Sequence, residues 1–290
     1  MQFIIKEVLA LKASWWRTFL RPVIYIFLAV YTFISVYPLI WMIFYSLKNN
    51  DEIFIKNPFG FPTVLRIENY INAWKQYDIP VYFLNSILVS VATVFFTIVL
   101  SLMFSYATAR MKWRLSNFSR IYLMAGMFIP AQIILVPLVI LMRDFRLANT
   151  HWSLIVPYTA FELGFSSVVF YGFLRSIPFE LEEAAAIDGA NVYTTFFRII
   201  LPLVKPAIAT MITFIFLFAW NEFTMALILI SDNSLKTLPL GLITFQGQFE
   251  TNWGGMGAAM VISSIPTILI YLLFNQQVEK ALTVGSALKD

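Results

Sequence analysis

Six apolar stretches of roughly twenty residues or more recur along the chain, at about 23–47, 83–108, 121–142, 153–174, 207–230 and 257–275. At a rise of about 1.5 Å per residue, each can cross roughly 30 Å of hydrocarbon. Lipid offers no partner to a backbone N–H or C=O, so a spanning segment must be a helix or part of a closed barrel. The alternating ten-residue pattern of barrel strands is not seen. The reading is an all-α integral membrane protein with six transmembrane helices. Composition agrees, since 60% of the 290 residues are hydrophobic and 12% charged, far from the balance of a soluble domain.

Lys and Arg set the expected orientation. Four cations, Arg110, Lys112, Arg114 and Arg120, fall in one short connection, the arrangement that the positive-inside rule weighs most. With that connection and both termini in the cytoplasm, thirteen of the twenty Lys and Arg lie inside. Lys6, Lys12, Arg17 and Arg21 precede the first run, and no small-residue cleavage site follows it. This argues against a removed signal peptide. The expected organisation is a cytoplasmic segment 1–22, a six-helix membrane domain 23–277 and a cytoplasmic tail 278–290. The net charge of +4 is mostly this topogenic signal and requires no nucleic acid.

Several chemistries are excluded. The chain has no cysteine, so it forms no disulfide and no thiolate-ligated metal or cluster. His151 is its one histidine, which rules out an HExxH metal site. No GxxxxGK[ST] phosphate loop occurs, so any nucleotide hydrolysis belongs to another chain. Neither a metal cluster nor a nucleophile with its base can be assembled, and no enzyme is expected. The absence of an internal repeat weakens an inverted-repeat secondary transporter.

The connection from Arg175 to Pro206 is too patterned for a simple link. Pro178 suits a first helical turn, and Glu180, Glu182 and Glu183 follow, where a helix N-terminus favours negative charge. Ala184, Ala185 and Ala186 are strong helix formers. Asp188 and Gly189 supply the stop, glycine taking a left-handed conformation cheaply. A second short helix is expected over about Val192 to Ile200. Such a helix–turn–helix can fit a groove in a partner, apolar anchors giving affinity and carboxylates giving charge pairs. A solvated amphipathic connection without a partner fits the pattern equally.

Glu183-Ala184-Ala185, three residues, Gly189, nine residues, then Ile199-x-Leu201-Pro202 resembles the EAA loop of ABC importer permeases. "FLFAWNEF" from Phe216, "LKTLPLGL" and "QGQFETNWGGMGAAMV" are similar to the carbohydrate permeases of the maltose-transporter type. The resemblance covers essentially the whole chain. It implies the type I ABC importer permease fold, MetI-like, with residues 178–202 as a cytoplasmic coupling helix that docks on an ATPase subunit. Glu182, Glu183, Ala184, Ala185, Asp188, Gly189, Ile199, Leu201 and Pro202 would carry that coupling. It further implies a second homologous permease, an ATP-binding subunit dimer, an extracytoplasmic solute-binding protein and a carbohydrate, by expectation an oligosaccharide. ATP and Mg would be held by the ATPase, and no cofactor by this chain. The tail departs from the family ending, with Ala281-Leu282-Thr283-Val284-Gly285 and a final Leu288-Lys289-Asp290.

Charges at membrane depth are costly, so those retained face a cavity or a partner. Glu162, midway along the fourth run, and Trp220, Asn221 and Glu222 in the fifth are candidates to line a sugar pathway, where hydroxyls need fixed acceptors and C–H faces need aromatic rings. Asn221 and Glu222 can equally tie helix to helix. Among outer segments, residues 48–82 read as a small folded cap. Residues 231–255 resemble the loop that meets the binding protein, with Gln246, Gly247, Gln248 and Trp253 as contacts. The rival reading of the whole is a stand-alone secondary transporter or channel; within the importer reading, a polyol or glycerol phosphate is the other cargo.

Overall fold

The computed structural model describes residues 2–247 and 250–287, with side chains from 20 to 247 and from 250 to 275. Its helices are α1 Gln2–Ser46, α2 Glu68–Gln76, α3 Ile79–Arg110, α4 Ser116–Gly126, α5 Ala131–Asp144, α6 Trp152–Ser176, α7 Glu180–Ile187, α8 Val192–Leu203, α9 Lys205–Asn221, α10 Thr224–Leu229, α11 Leu238–Gly241 and α12 Trp253–Ala287. Within α8 the turn Phe196–Ile200 is widened to π geometry just before Pro202, whose nitrogen carries no proton to donate. The extended pairing found among the described residues is a single bridge, Gln246–Thr251.

Among the described residues, four stretches are long and apolar enough to cross a membrane unbroken: Leu20–Ser46 in α1, α3, α6, and Trp253–Asn275 in α12. The other two expected spans are bent. The run 121–142 divides into α4 and α5, which meet at 102°. Pro130, extended at φ −62° and ψ 132°, begins the second helix and cannot continue the ladder of the first. α8 and α9 meet at 71° across Val204, with Pro206 in the first turn of α9. The run 207–230 is also cut short: α9 stops at Asn221, Glu222 is extended, and the chain turns helical again at Thr224. With each bent pair taken as one span, the described residues offer up to six helices of spanning length and composition.

The chain divides into two compact units, one comprising residues up to 70 with 252–261, the other 71–251 with those from 262 onward. In the first, Lys48 is fully buried and its ammonium donates to the carbonyls of Asn57 at 2.5 Å and Gly60 at 2.7 Å. Glu52, also buried, accepts from the Thr63 amide at 2.6 Å. Burial pushes the Glu52 carboxyl up, but the Thr63 hydrogen bonds and the nearby Lys48 charge outweigh it and hold the group below its usual range. The segment after α1 is thereby folded around an internal charge. Gly254, in the first turn of α12, belongs to the same packing, since a Cβ there would sit 2.3 Å from the Lys48 carbonyl oxygen.

The second unit is organised on α3 and α6, its most extensive helix pair. Ser86, Ser90, Thr93, Thr97, Ser101, Ser105 and Thr108, three or four residues apart, form one buried face of α3. From α6 come the buried Thr159, Gly164, Ser166 and Ser167. Small side chains let two helices approach closely where lipid supplies no hydrophobic drive for association. The Ser105 hydroxyl crosses the seam to donate to the Ser167 carbonyl at 3.0 Å. Apolar clusters flank it, one around Leu154, Tyr158, Ala226 and Leu229, the other around Leu102, Phe170, Leu174, Ile200 and Met211.

Candidate functional site

The connection after α6 folds as a short helix, a turn and a second short helix. Pro178 stands two residues ahead of α7, outside its first turn, and Phe179 is the capping residue. Glu180, Glu182 and Glu183 occupy the first turn, where the helix dipole favours them. At the far end Gly189 has φ +82°. Its amide donates to the Ala186 carbonyl at 3.1 Å and that of Ala190 to the Ala185 carbonyl at 2.9 Å, the bond pair of a Schellman stop. Asn191 then caps α8, its side-chain oxygen accepting from the Thr194 amide at 2.9 Å.

The three carboxylates part company. Glu180 and Glu183 are exposed, whereas the Glu182 side chain is 11% exposed and faces Arg110, itself 6% exposed, at the C-terminal end of α3. Arg110 Nε lies 3.0 Å from Glu182 Oε1, a charge contact rather than an aligned hydrogen bond. Arg110 Nη2 donates to the Ile177 carbonyl at 2.7 Å, and the guanidinium stands 5.8 Å from the Phe179 ring centroid. One turn earlier in α3, the Tyr106 hydroxyl donates to the other Glu182 oxygen at 3.1 Å while its ring meets the edge of Phe196. Sequence reasoning missed Arg110 and Tyr106, because the contact joins residues far apart in the chain.

The remaining loop residues divide by burial. Ala185 is buried, Ala184 and Asp188 are exposed, Ile199 and Leu201 are half-buried beside the buried Ile200, and Pro202 is exposed. Large apolar side chains are left uncovered: Ile187 is 87% exposed, Tyr193 76% and Phe197 61%. A cleft of about 1170 Å³ opens beside α7, lined by Arg110, Lys112, Arg114, Arg175, Glu180 and Glu183 among others.

The membrane-depth candidates are placed as follows. Trp220 is fully buried, its indole donating to the Ser263 carbonyl at 3.0 Å and its ring stacked on Phe216, so the ring is committed to packing. The exposed Asn221 donates to Leu217 in its own helix at 2.7 Å. Glu222 accepts from the Tyr158 hydroxyl of α6 at 2.5 Å and from the amides of Met225 and Ala226, capping α10. Glu162 is half-buried one helical turn beyond Tyr158 and has no hydrogen bond or ion pair among the described residues.

Of the expected outer contacts, Gln246 is exposed and bridges to Thr251, and the Gly247 amide donates to Glu250 at 3.1 Å. Gln248 lies outside the described residues. Trp253 starts α12, its amide bonded to the Asn50 side chain at 3.2 Å and its ring edge-on to Phe54.

Comparison with known proteins places this arrangement. Residues 98–284 match the family described as binding-protein-dependent transport system inner membrane component. The probable ABC transporter permease protein YurM of Bacillus subtilis (strain 168) is 35% identical over 263 residues, 91% of this chain and 87% of that protein. The diacetylchitobiose uptake system permease protein NgcG of Streptomyces coelicolor is 33% identical over 261 residues, 89% of this chain and 86% of that one. In fold, the chain is similar to a chain of a bacterial ABC transporter involved in the import of the acidic polysaccharide alginate, with a TM-score of 0.78 at 20% identity over 88% of this chain and 94% of that chain. The chain therefore belongs to the binding-protein-dependent transport system inner membrane component family, as a permease of the ABC transporter type with the type I importer fold.

Proposed function

We propose that this chain forms half of the translocation pathway of an ATP-driven sugar importer, pairing with a second permease and taking its driving force from a cytoplasmic ATPase through residues 178–202. The observation that carries the coupling role is the uncovered apolar set Ile187, Tyr193 and Phe197 beside the exposed Glu180 and Glu183. A monomeric solvated link has no use for large apolar side chains in water, whereas a helix seated in a partner's groove buries them and pairs the carboxylates. ATP binding closes the ATPase dimer, the docked loops move with it, and the two permease halves exchange inward-open and outward-open states. Energetically this is differential binding of ATP to the two states.

Carbohydrate cargo is supported by the names of relatives: the diacetylchitobiose permease above, and the multiple sugar-binding transport system permease MsmG of Streptococcus mutans, 30% identical over 266 residues. Glu162, a carboxylate midway along α6 with no hydrogen bond or ion pair among the described residues, is the group we assign to receive a sugar hydroxyl. Residues around Gln246 and Gly247 face the binding protein on this reading. The test is uptake by cells lacking this gene, offered labelled di- and oligosaccharides, polyols and glycerol phosphates. ATP-dependent uptake of one sugar class, restored by the gene, is expected. Restoration of a polyol or glycerol phosphate alone would move the cargo, and ATP-independent uptake would replace the importer with a secondary transporter.

A further inference from the structure

We propose that Arg110 is a positioning residue that fastens α7 to the C-terminal end of α3, so that a displacement of α7 is delivered to α3 as well as to α6. This rests on the coupling-loop reading above. Along the chain, α7 is tied to α6 only through Ile177, Pro178 and Phe179, and to α8 through the Gly189 turn. An eight-residue helix on such short tethers would swing when pushed, and the push would dissipate in the hinge.

Arg110 removes that freedom from a third direction. Its guanidinium grasps the Ile177 carbonyl at 2.7 Å and the Glu182 carboxylate at 3.0 Å, with the Phe179 ring beside it. Tyr106, one turn back, holds the second Glu182 oxygen and packs on Phe196 of α8. One turn of α3 thus binds the connection, α7 and α8 together. An apolar contact would give adhesion without direction, but a planar guanidinium that donates to the Ile177 carbonyl while its charge faces the Glu182 carboxylate fixes one orientation. With both charges largely out of water, removing either leaves the other uncompensated, so the contact resists half-open states. The division of labour within the first turn follows: Glu182 turns inward to α3, and Glu183 is left outward for a partner.

The test uses the full importer reconstituted in vesicles, with Glu182→Gln and Arg110→Lys, and reads sugar transported per ATP hydrolysed beside recovery of the ATPase. Recovery should be unchanged, because Glu183 and the exposed apolar set are untouched. Transport per ATP should fall roughly tenfold in Glu182→Gln, within the usual range of site-to-site coupling, and less in Arg110→Lys, which keeps the charge but not the fork. Since the chain has no cysteine, the double variant Arg110→Cys, Glu182→Cys in a cysteine-free complex gives a second reading: it should be uncoupled until a short bis-maleimide bridges the two thiols. If Arg110→Lys does not accumulate in the membrane, Glu182→Gln, which preserves shape, carries the result. Wild-type transport per ATP in Glu182→Gln, or no recovery on bridging, overturns the proposal. Unchanged ATPase recovery with Glu183→Lys would instead count against the coupling-loop reading itself.

Discussion

Substituting Gly189 tests the loop through its backbone alone. A Cβ at this position would meet nothing within 4 Å, so a side chain costs nothing in collision, but φ is +82°. An L-residue there carries a conformational penalty of about 1–2 kcal/mol, and a β-branched one about 2–3 kcal/mol, while asparagine tolerates the region with little loss. With tenfold per about 1.4 kcal/mol, the native turn should become roughly fivefold to thirtyfold less populated in Gly189→Ala and about 30- to 150-fold less in Gly189→Val. Gly189→Asn should stay near wild type. The Schellman stop orients α8 relative to α7, so losing it misplaces Ile187 against Tyr193 and Phe197. The assay is ATPase recovered with the purified chain, together with uptake per ATP, across the three variants. Wild-type values for Gly189→Val, or a ranking that ignores residue type, would refute the reasoning.

Three further outcomes are expected. Glu162→Gln removes the charge of the one unpartnered carboxylate along α6 and should change sugar affinity or selectivity in an uptake assay; an unchanged profile would leave it a structural group. At the α3–α6 seam, Ser105→Ala should cost about 0.6 kcal/mol for a lost interhelical hydrogen bond and Ser105→Leu about 1–3 kcal/mol for overpacking, read as thermal stability in detergent; equal stability of the two would deny that the seam is tight. Because the Glu52 carboxyl is held below its ordinary pKa of 4.5, its contribution to folding is present above that value and is lost as pH falls through the lower, folded one. Protection against hydrogen exchange over residues 49–66, taken relative to the intrinsic amide rate at each pH, should therefore fall on acidification below that ordinary value and show no such step in Glu52→Gln.

How much of this the sequence disclosed depends on the range of the interaction involved. Apolar length alone put an apolar helix or a bent helix pair on each of the six expected runs among the described residues, and the EAA segment announced both its helix and its left-handed stop, because Ala propensity and the need for glycine at positive φ are local. Pro130 and Glu222 were visible too, yet hydropathy averaged over each run hid the breaks they impose: α4 turning sharply into α5, and α9 ending nine residues before its apolar run does. The hydroxyl face of α3 is plain as Ser and Thr at helical spacing once size rather than apolarity is tracked. Arg110 was read only as one of four topogenic cations. Which of the three carboxylates in α7 turns inward depends on that distant guanidinium, and no local pattern distinguishes Glu182 from Glu183. Trp220 and Glu222 had the composition of a sugar site, but the ring is packed and the carboxylate capped, facts that only tertiary contacts supply.

The central claim is that residues 178–202 join this permease to an ATPase. Its most direct test is affinity purification of the tagged chain from native membranes, with identification of what accompanies it, for wild type and Gly189→Val. The account predicts a second permease and an ATP-binding subunit with the wild type, and the second permease without the ATP-binding subunit in the variant. Recovery of the chain alone in both, with transport intact, would contradict it.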